Sequence, residues 1–217
     1  MSGLCVIGLQ WGDEAKGKLV DLLTEGHDIV VRYQGGANAG HTVVVGDQTY
    51  KLHLIPSGIL SKNVTNIVAS GVVIDPATIL QEIKMLRSRG VNLDGRLLLS
   101  DRAHVVFPWH VAEDQLWNEI FKGDDNIGTT LRGIGPCYRD KVGRSFALRL
   151  GDLIRDDLRE RIAEIAKHKQ FTLNALPATN KIQLDAKQIA EQYAAFADQL
   201  RPFITDTTAL LLSLIHI

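Results

Sequence analysis

Residues 4–24 read LCVIGLQWGDEAKGKLVDLLT, and this stretch decides the fold that the sequence predicts. Residues 4–9 form a short apolar run, which predicts a buried strand. Residues 18–24 place their leucines on one side of a predicted helix. Between the two, residues 12–18 fit the pattern G-x-x-x-x-G-K. A glycine loop between a strand and a helix is typical of phosphate binding, because backbone N–H groups and the helix N-terminus attract anions.

Two features of this loop are unusual for a phosphate-binding loop. Leu19 follows the lysine, where a serine or threonine normally binds magnesium. The loop also contains two acids, Asp13 and Glu14, which would repel phosphate unless one of them binds a cation or moves a proton. The pattern alone would also fit a solvated turn. The apolar run before it favours the phosphate-binding interpretation.

Strand and helix signals alternate along the first 125 residues or so, and helices follow. Strands are predicted over residues 28–33, 43–45, 48–54, 66–69, 72–74 and 96–100, and helices over residues 76–89, 111–122, 152–170 and 185–200. Asp75 and Pro76 suit a helix start, and Gly46 with Asp47 suits a hairpin turn. The order predicts an α/β protein with a mainly parallel sheet flanked by helices and a helical subregion after about residue 100.

Composition excludes several classes of protein. The chain has 217 residues, 45% of them hydrophobic and 23% charged, which is typical of a globular protein and not of a disordered one. Its net charge is −1, so we expect no nucleic-acid partner, because phosphate neutralisation needs a basic excess. Two cysteines form no disulfide framework, and we expect Cys5 in the core. No apolar tract approaches the roughly 20 residues of a membrane span, and no basic residue precedes Lys16, so we expect a cytoplasmic protein without membrane contact.

Two more glycine-rich segments contain polar side chains suited to binding. Residues 34–42 read QGGANAGHT, in which Asn38 and His41 stand between glycines that allow close approach to a ligand. A parallel sheet could bring His41 beside Asp13. Residues 128–136 read GTTLRGIGP, in which hydroxyls next to an arginine suit a second phosphate, although a plain connection between two parts of the chain would explain the segment almost as well.

Together the three segments resemble adenylosuccinate synthetase, with its signatures in the same order. The resemblance covers about residues 4–210, which would form one N-terminal part of a single domain related in layout to phosphate-loop nucleotide binders. Two residues depart from the pattern: Ala15 and Leu131 stand where the family more often has glycine. Ala15 would place a methyl group beside the bound phosphates.

The resemblance implies a ligase that joins IMP and L-aspartate with GTP and magnesium. By position, Asp13 resembles the general base that removes the N1 proton of IMP, after which O6 attacks the γ-phosphate of GTP and gives 6-phosphoryl-IMP. The aspartate amine then displaces phosphate. His41 resembles the acid that supports the departing GDP.

The binding residues of the family are transferred position by position. The residues that resemble GTP contacts are Gly12, Asp13, Glu14, Ala15, Lys16, Gly17, Lys18, Gly40, His41 and Thr42. Those that resemble IMP contacts are Asp13, Glu14, Ala15, Lys16, Asn38, Ala39, Gly40, His41, Thr130 and Arg144. One magnesium ion would be held by Asp13 and the carbonyl of Gly40, which would explain the leucine after the loop lysine. Arg144 matches the arginine that reaches the neighbour's IMP in a homodimer.

The family's chain is about twice as long as this one, and residues 211–217 do not follow its pattern. The remaining half would include the guanine pocket and the arginine loop that holds aspartate. We therefore expect the 217-residue chain alone to be inactive. Two alternatives stay open: a nucleotide-binding module without catalysis, and a phosphate-loop kinase or GTPase, which Leu19 and the acids of the loop disfavour.

Overall fold

The computed structural model describes residues 3–9, 16–121, 128–177 and 181–215. In chain order the elements are α1 (Lys16–Thr24), β1 (Ile29–Arg32), β2 (His41–Val45), β3 (Gln48–Leu52), β4 (Thr65–Val68), β5 (Val73–Ile74), α2 (Pro76–Ser88), β6 (Leu97–Ser100), β7 (His104–Val105), α3 (Pro108–Ile120), α4 (Ile134–Gly143), α5 (Leu158–Asn174), α6 (Ala186–Leu200), β8 (Ile204–Thr205) and α7 (Thr207–Ile215). Short 3₁₀ turns lie at Ser57–Leu60, Leu150–Ile154 and Arg201–Phe203.

A parallel sheet forms the centre of the fold. Its strand order is β1-β4-β6-β8, and each neighbouring pair is parallel. Ile67 and Val68 of β4 are fully buried between β1 and β6, as expected for a strand covered on both faces. The predicted α/β class with a mainly parallel sheet is therefore confirmed, and after residue 100 the chain is mostly helical, as predicted.

Several local signals in the sequence form the predicted elements. The Asp75 side chain accepts a hydrogen bond from the Ala77 N–H at 3.1 Å, and Pro76 opens α2, so both start signals act as predicted. The hairpin of β2 and β3 is antiparallel, and Gly46 at its turn has a φ of +57°. Residues 29–32, 65–68 and 97–100 lie within or beside their predicted strands.

Residues 4–9 do not form the buried strand that their composition predicts. They have no regular secondary structure, and Leu4, Ile7 and Leu9 expose 60%, 62% and 84% of their surface. Cys5 is exposed rather than in the core. An apolar run indicates only that burial would be favourable. A strand also needs a neighbour that supplies hydrogen bonds, and the outer edge of β1 has no partner among the described residues.

The apolar side predicted for α1 is also largely uncovered. The helix forms as predicted and begins two residues earlier, but Leu19 is 47% exposed and Leu22 is 69% exposed. Its Gly17 lies against His41, and its C-terminal Thr24 is buried. Helical spacing correctly placed the leucines on one side, but it gives no information about what covers that side.

The helical part begins and ends at slightly different residues than predicted. α3 starts at Pro108 rather than residue 111, because proline is well suited to the first helical position and the His110 ring accepts a hydrogen bond from the Phe107 N–H at 2.9 Å. The predicted helix over residues 152–170 is divided: Asp152 accepts from the Arg149 N–H and closes a 3₁₀ turn, and α5 begins only at Leu158. α6 follows the predicted range closely.

Aromatic stacking joins α3 to α6. The Phe107 ring lies 4.3 Å from Trp109 and 4.1 Å from Tyr193, and all three side chains are buried. Tyr193 belongs to the predicted apolar stripe of α6, whose Ile189 and Leu200 are also buried, so the interpretation of that stripe as core is confirmed. None of the helices in the described ranges is long and apolar enough to cross a membrane. α7 runs across Leu211, and the division of the chain at that residue stays a prediction.

Candidate active site

The first and second glycine loops meet at Gly17 and His41. Asp13 and the rest of residues 10–15 lie outside the described residues, and the structure begins again at α1. A Cβ at Gly17 would lie 2.9 Å from His41 Cβ and 3.0 Å from His41 Cγ, so this position has no space for a side chain. The helix N-terminus, with Lys16 and Lys18 exposed beside it, thus lies next to the imidazole. A helix N-terminus with lysines favours an anion.

His41 has a buried ring nitrogen near this contact. Its Nε2 is buried and has no hydrogen-bond partner among the described residues. Burial lowers the pKa of His41, and the positive charge of Arg32 and the neighbouring His53 lower it further. A neutral imidazole still donates one N–H, so the ring can hydrogen-bond an anion or a leaving group at neutral pH.

The third glycine-rich segment contacts the second directly. The Arg132 guanidinium donates to the carbonyl oxygen of Ala37 at 2.9 Å. Leu131 has a φ of 55°, in the left-handed region that glycine adopts without strain. Asp114 on α3 accepts a hydrogen bond from the Gly133 N–H at 2.9 Å, which fixes the turn into α4.

α4 places two polar side chains along the start of the second loop. The Tyr138 hydroxyl lies 2.8 Å from the Gly35 nitrogen and 2.8 Å from the Gly71 carbonyl oxygen. Lys141 donates to the Ser70 carbonyl at 2.7 Å. Burial raises the pKa of Tyr138 and lowers that of Lys141.

An open cleft of about 480 Å³ lies beside these groups. It is lined by Tyr33, Gln34, Gly35, Gly71, Tyr138 and Lys141. The cleft is therefore bounded on one side by the second loop and on the other by α4.

The structure brings together some of the predicted residues. Gly17 contacts His41, and Arg132 holds the loop that contains Asn38, Ala39 and Gly40, all three of which are exposed. Thr42 and Thr130 are exposed as well. Arg144 ends α4 with a φ of 63°, and its exposed side chain makes no hydrogen bond or ion pair with a described residue. Gly12, Asp13, Glu14 and Ala15 lie outside the described residues, so the predicted Asp13–His41 pairing stays a prediction.

The sequence reasoning missed three residues that support the second loop: Arg32, His53 and Glu82. Arg32 donates to the carbonyl oxygens of His53 and Gly36, the latter at 2.8 Å. Glu82 is 4% exposed on the buried face of α2. Burial raises its pKa, although three backbone N–H groups and His53 oppose that shift. One signal was present in the sequence: Glu82 follows Ile79 by three positions and therefore lies on the apolar face of the helix.

No group of three or more His, Cys, Asp or Glu side chains in the described ranges is arranged to hold a metal ion. The predicted magnesium ligands are Asp13, which is outside those ranges, and the backbone carbonyl of Gly40. Gly40 is exposed and adjoins His41, so its carbonyl belongs to the same loop as the buried, unpartnered ring nitrogen.

The fold and the converging loops define a class: an α/β protein in which three glycine-rich segments form a candidate site for a phosphate-bearing ligand. Comparison with known proteins then gives the family. A family model for adenylosuccinate synthetase matches residues 5–216. The chain belongs to the adenylosuccinate synthetase family.

Individual relatives agree with this assignment. The chain is 46% identical to the adenylosuccinate synthetase of Thermoanaerobacter sp. (strain X514) and 47% identical to that of Caldanaerobacter subterraneus, each over 99% of this chain and 50% of the relative. It also resembles the solved structure of fully ligated adenylosuccinate synthetase from Plasmodium falciparum, with a TM-score of 0.84 and 36% identity over 96% of this chain and 47% of that one. The chain spans about half the length of the curated relatives it matches.

Proposed function

We propose that this chain supplies the phosphate- and IMP-binding part of an enzyme that forms adenylosuccinate from IMP and L-aspartate, with conversion of GTP to GDP and phosphate. The observation that carries the proposal is the contact between Gly17 and His41. It places a buried imidazole nitrogen, which has no hydrogen-bond partner among the described residues, next to a helix N-terminus with two lysines. Such an arrangement suits a group that helps phosphate oxygens leave.

Each residue then has a distinct task. Asp13 accepts the proton from N1 of IMP, and the electron pair moves to O6. O6 attacks the γ-phosphorus of GTP, the bond from that phosphorus to the β–γ bridging oxygen breaks, and GDP leaves. His41 donates a hydrogen bond to the charge that develops on the leaving diphosphate. The amine of L-aspartate next attacks C6 and phosphate leaves.

The second and third segments position IMP in this proposal. Arg132 holds the Ala37 carbonyl, which fixes the exposed Asn38 at the site. Thr130 would contact the IMP phosphate. When bound to the Asp13 carboxylate and the Gly40 carbonyl, magnesium would neutralise phosphate charge. A homodimer in which Arg144 reaches the partner's IMP site, and a cytoplasmic location, belong to the same proposal.

Family membership disfavours the alternatives of a module without catalysis and of a phosphate-loop kinase or GTPase. One assay distinguishes the ligase from the kinase. A ligase forms adenylosuccinate only when aspartate is present, whereas a kinase phosphorylates an acceptor without it. The resemblance assigns the guanine and aspartate pockets to the half of the family's chain that this one does not span, so we expect no turnover from the 217 residues alone.

The test uses residues 1–210 joined to the second half of the Thermoanaerobacter relative, assayed for adenylosuccinate with IMP, GTP, aspartate and magnesium. The control is Asp13→Asn in the same chimera, which removes the base while it preserves side-chain size. Loss of a well-placed general base lowers the rate by about 10²–10⁴. An Asp13→Asn chimera that retains more than a tenth of the parent kcat would contradict the role of Asp13.

A further inference from the structure

The buried carboxylate of Glu82 accepts hydrogen bonds from the backbone of the chain segment that follows β3. Its Oε1 accepts a hydrogen bond from the His53 N–H at 2.6 Å, and its Oε2 accepts from the Ile55 N–H at 2.9 Å. The Leu54 N–H lies within 3.2 Å of both oxygens. Three consecutive backbone donors therefore converge on one carboxylate, which fixes the backbone at residues 53–55.

His53 lies between that carboxylate and the second glycine loop. Its Nδ1 is 3.4 Å from Glu82 Oε1. On the other side of the ring, a Cβ at Gly40 would lie 2.7 Å from Nε2 and 2.8 Å from Cδ2. The imidazole thus fills the space directly behind Gly40, and its position depends on the backbone that Glu82 holds.

Arg32 connects the same segment to the other end of the loop. Its guanidinium donates both to the His53 carbonyl and to the Gly36 carbonyl. Burial lowers the pKa of Arg32, and the nearby Glu82 opposes that shift. The second loop is therefore supported at Gly36 by Arg32 and at Gly40 by His53, and both supports rest on residues 53–55.

We propose that Glu82 is a positioning residue, which acts through His53 to fix Gly40 and so sets the location of His41. This inference rests on the proposed function for its consequence in catalysis, because Gly40 and His41 are the residues that would meet GTP and magnesium. Glu82 is not one of the residues proposed to meet GTP or magnesium. Its effect passes through two observed contacts, from carboxylate to the His53 backbone and from the His53 ring to Gly40.

The first test measures amide hydrogen exchange in the 217-residue chain and needs no activity. Glu82→Gln retains size but turns one acceptor into a donor that opposes the backbone N–H groups. We expect exchange at residues 40–44 to become about tenfold faster or more, which corresponds to loss of a single hydrogen bond's worth of local protection. His53→Ala should have the same effect at those residues. Glu160→Gln and His168→Ala change exposed residues of the same types and serve as controls.

The location of the change decides the result. Faster exchange confined to residues 40–44 and 53–55, with the β4 amides unchanged, supports the inference. Unchanged exchange at residues 40–44 overturns it. Faster exchange of equal size throughout the chain also overturns it, because Glu82 would then contribute only to global stability.

The second test is a size exchange in the chimera that has the second half of the relative. Gly40→Ala should reduce kcat strongly, because the new methyl group meets the His53 ring. His53→Ala makes room for that methyl group, so the double variant should recover at least about threefold in kcat over Gly40→Ala, a coupling typical of contacting residues. A double variant no better than Gly40→Ala would contradict the proposed contact.

Kinetic constants separate positioning from plain destabilisation. We expect Glu82→Gln to lower kcat about tenfold or more while the KM for IMP changes less than twofold, since the misplaced groups act on phosphoryl transfer. If Glu82→Gln only unfolded part of the protein, the apparent kcat would fall in proportion to the folded fraction. Active-site titration measures that fraction. If the parent chimera forms no adenylosuccinate, the proposed function fails, and the exchange experiment still decides the role of Glu82.

Discussion

Lys169 on α5 lies 2.7 Å from the carboxylate of Asp140 on α4, and both side chains are almost fully buried. The same ammonium is 3.4 Å from Glu113 on α3, and His110 is 3.0 Å from Asp140. Burial raises the pKa of Asp140, but hydrogen bonds from His110 and Lys169 outweigh it and hold that pKa below its usual value. One ammonium thus joins three helices, and it fixes α4, which places Tyr138 beside the candidate site.

Lys169→Met should lower the free energy of unfolding by about 3 kcal/mol. The substitution retains the length of the side chain but leaves the buried carboxylates of Asp140 and Glu113 without the ammonium, and loss of one partner from a buried ion pair is costly. Urea denaturation measures the change. Lys167→Met, at an exposed position of the same helix, is the control. Arg139 on α4 is also ion-paired with Glu113. A loss below 1 kcal/mol would contradict the prediction and mean that Arg139 and His110 compensate for the missing ammonium.

The buried His104 should make stability depend on pH. Burial, followed by the charges of Lys141 and Arg149, lowers its pKa to about 4. Because the folded-state pKa lies below the ordinary value of about 6.5, the unfolded chain takes up the proton first. The contribution of His104 is fully present above about pH 6.5 and is lost as pH falls toward 4. We therefore compare urea midpoints at one pH above about 6.5 and one pH between about 4 and 6.5. The two midpoints should differ less in His104→Leu than in the parent. In His168→Leu their difference should match that of the parent.

Leu131→Gly should stabilise the chain relative to Leu131→Ala by about 1 kcal/mol. Leu131 has a φ of 55°, which costs a residue with a Cβ about 1–2 kcal/mol, whereas glycine adopts this conformation freely and loses part of the gain through its greater unfolded-state entropy. Both variants remove the same partly exposed side chain, so the difference between their free energies of unfolding reports the cost of the backbone conformation. Denaturation of the two proteins measures it, and equal stabilities would refute backbone strain at this position.

His41→Asn in the chimera should lower kcat at least about tenfold while the KM for IMP changes little. The His41 ring nitrogen would interact most strongly when charge develops on the departing diphosphate, so its loss affects the transition state more than the bound substrate. Steady-state kinetics with varied IMP measures both constants, with His168→Asn as the exposed control. A change in KM alone would make His41 a residue that binds the ground state.

Arg144 gives a test of the proposed homodimer. If Arg144 acts on the partner's site, then Arg144→Leu and Asp13→Asn chimeras are each weak alone, but a mixed dimer contains one site with both native residues. Mixing should therefore restore up to about a quarter of the parent activity, because random exchange makes half of the dimers mixed and half of their sites intact. Light scattering and a tagged subunit confirm exchange. Exchange without recovery argues against a shared site.

Local sequence signals predicted the elements that are determined by neighbouring residues in the chain. Asp75 and Pro76 start α2 because capping and a fixed φ act within one turn, and Gly46 allows the hairpin turn for the same local reason. Residues 4–9 failed as a strand because a strand depends on a neighbour that composition does not identify. Leu19 was placed on the correct side of α1 but not buried, for the same reason.

The candidate site was predicted in part. Glycines and polar residues predicted which loops would meet a ligand, and that binding stays a prediction; the close approach of Gly17 to His41 agrees with the expected convergence of the first two loops. The sequence could not predict the support from Arg32, His53 and Glu82, because the hydrogen bonds from Arg32 to His53 and from His53 to Glu82 join residues that are 21 and 29 positions apart and meet only after folding. An acid on the apolar face of α2 was the one visible sign. The roles of Asp13 and Arg144 remain predictions.

The hydrogen bond from Arg132 to Ala37 spans 95 positions, and that from Gly35 to Tyr138 spans 103. During synthesis the second loop therefore leaves the ribosome long before Arg132 and Tyr138 have been made. Pairings of such separation close late, because the chain must first lose the entropy of the long loop between them. A nascent chain that ends before residue 132 has the supports from Arg32, His53 and Glu82 but lacks the hydrogen bonds that Arg132 and Tyr138 make with the loop. A ribosome-bound chain can form these last two contacts only after about residue 140 has emerged.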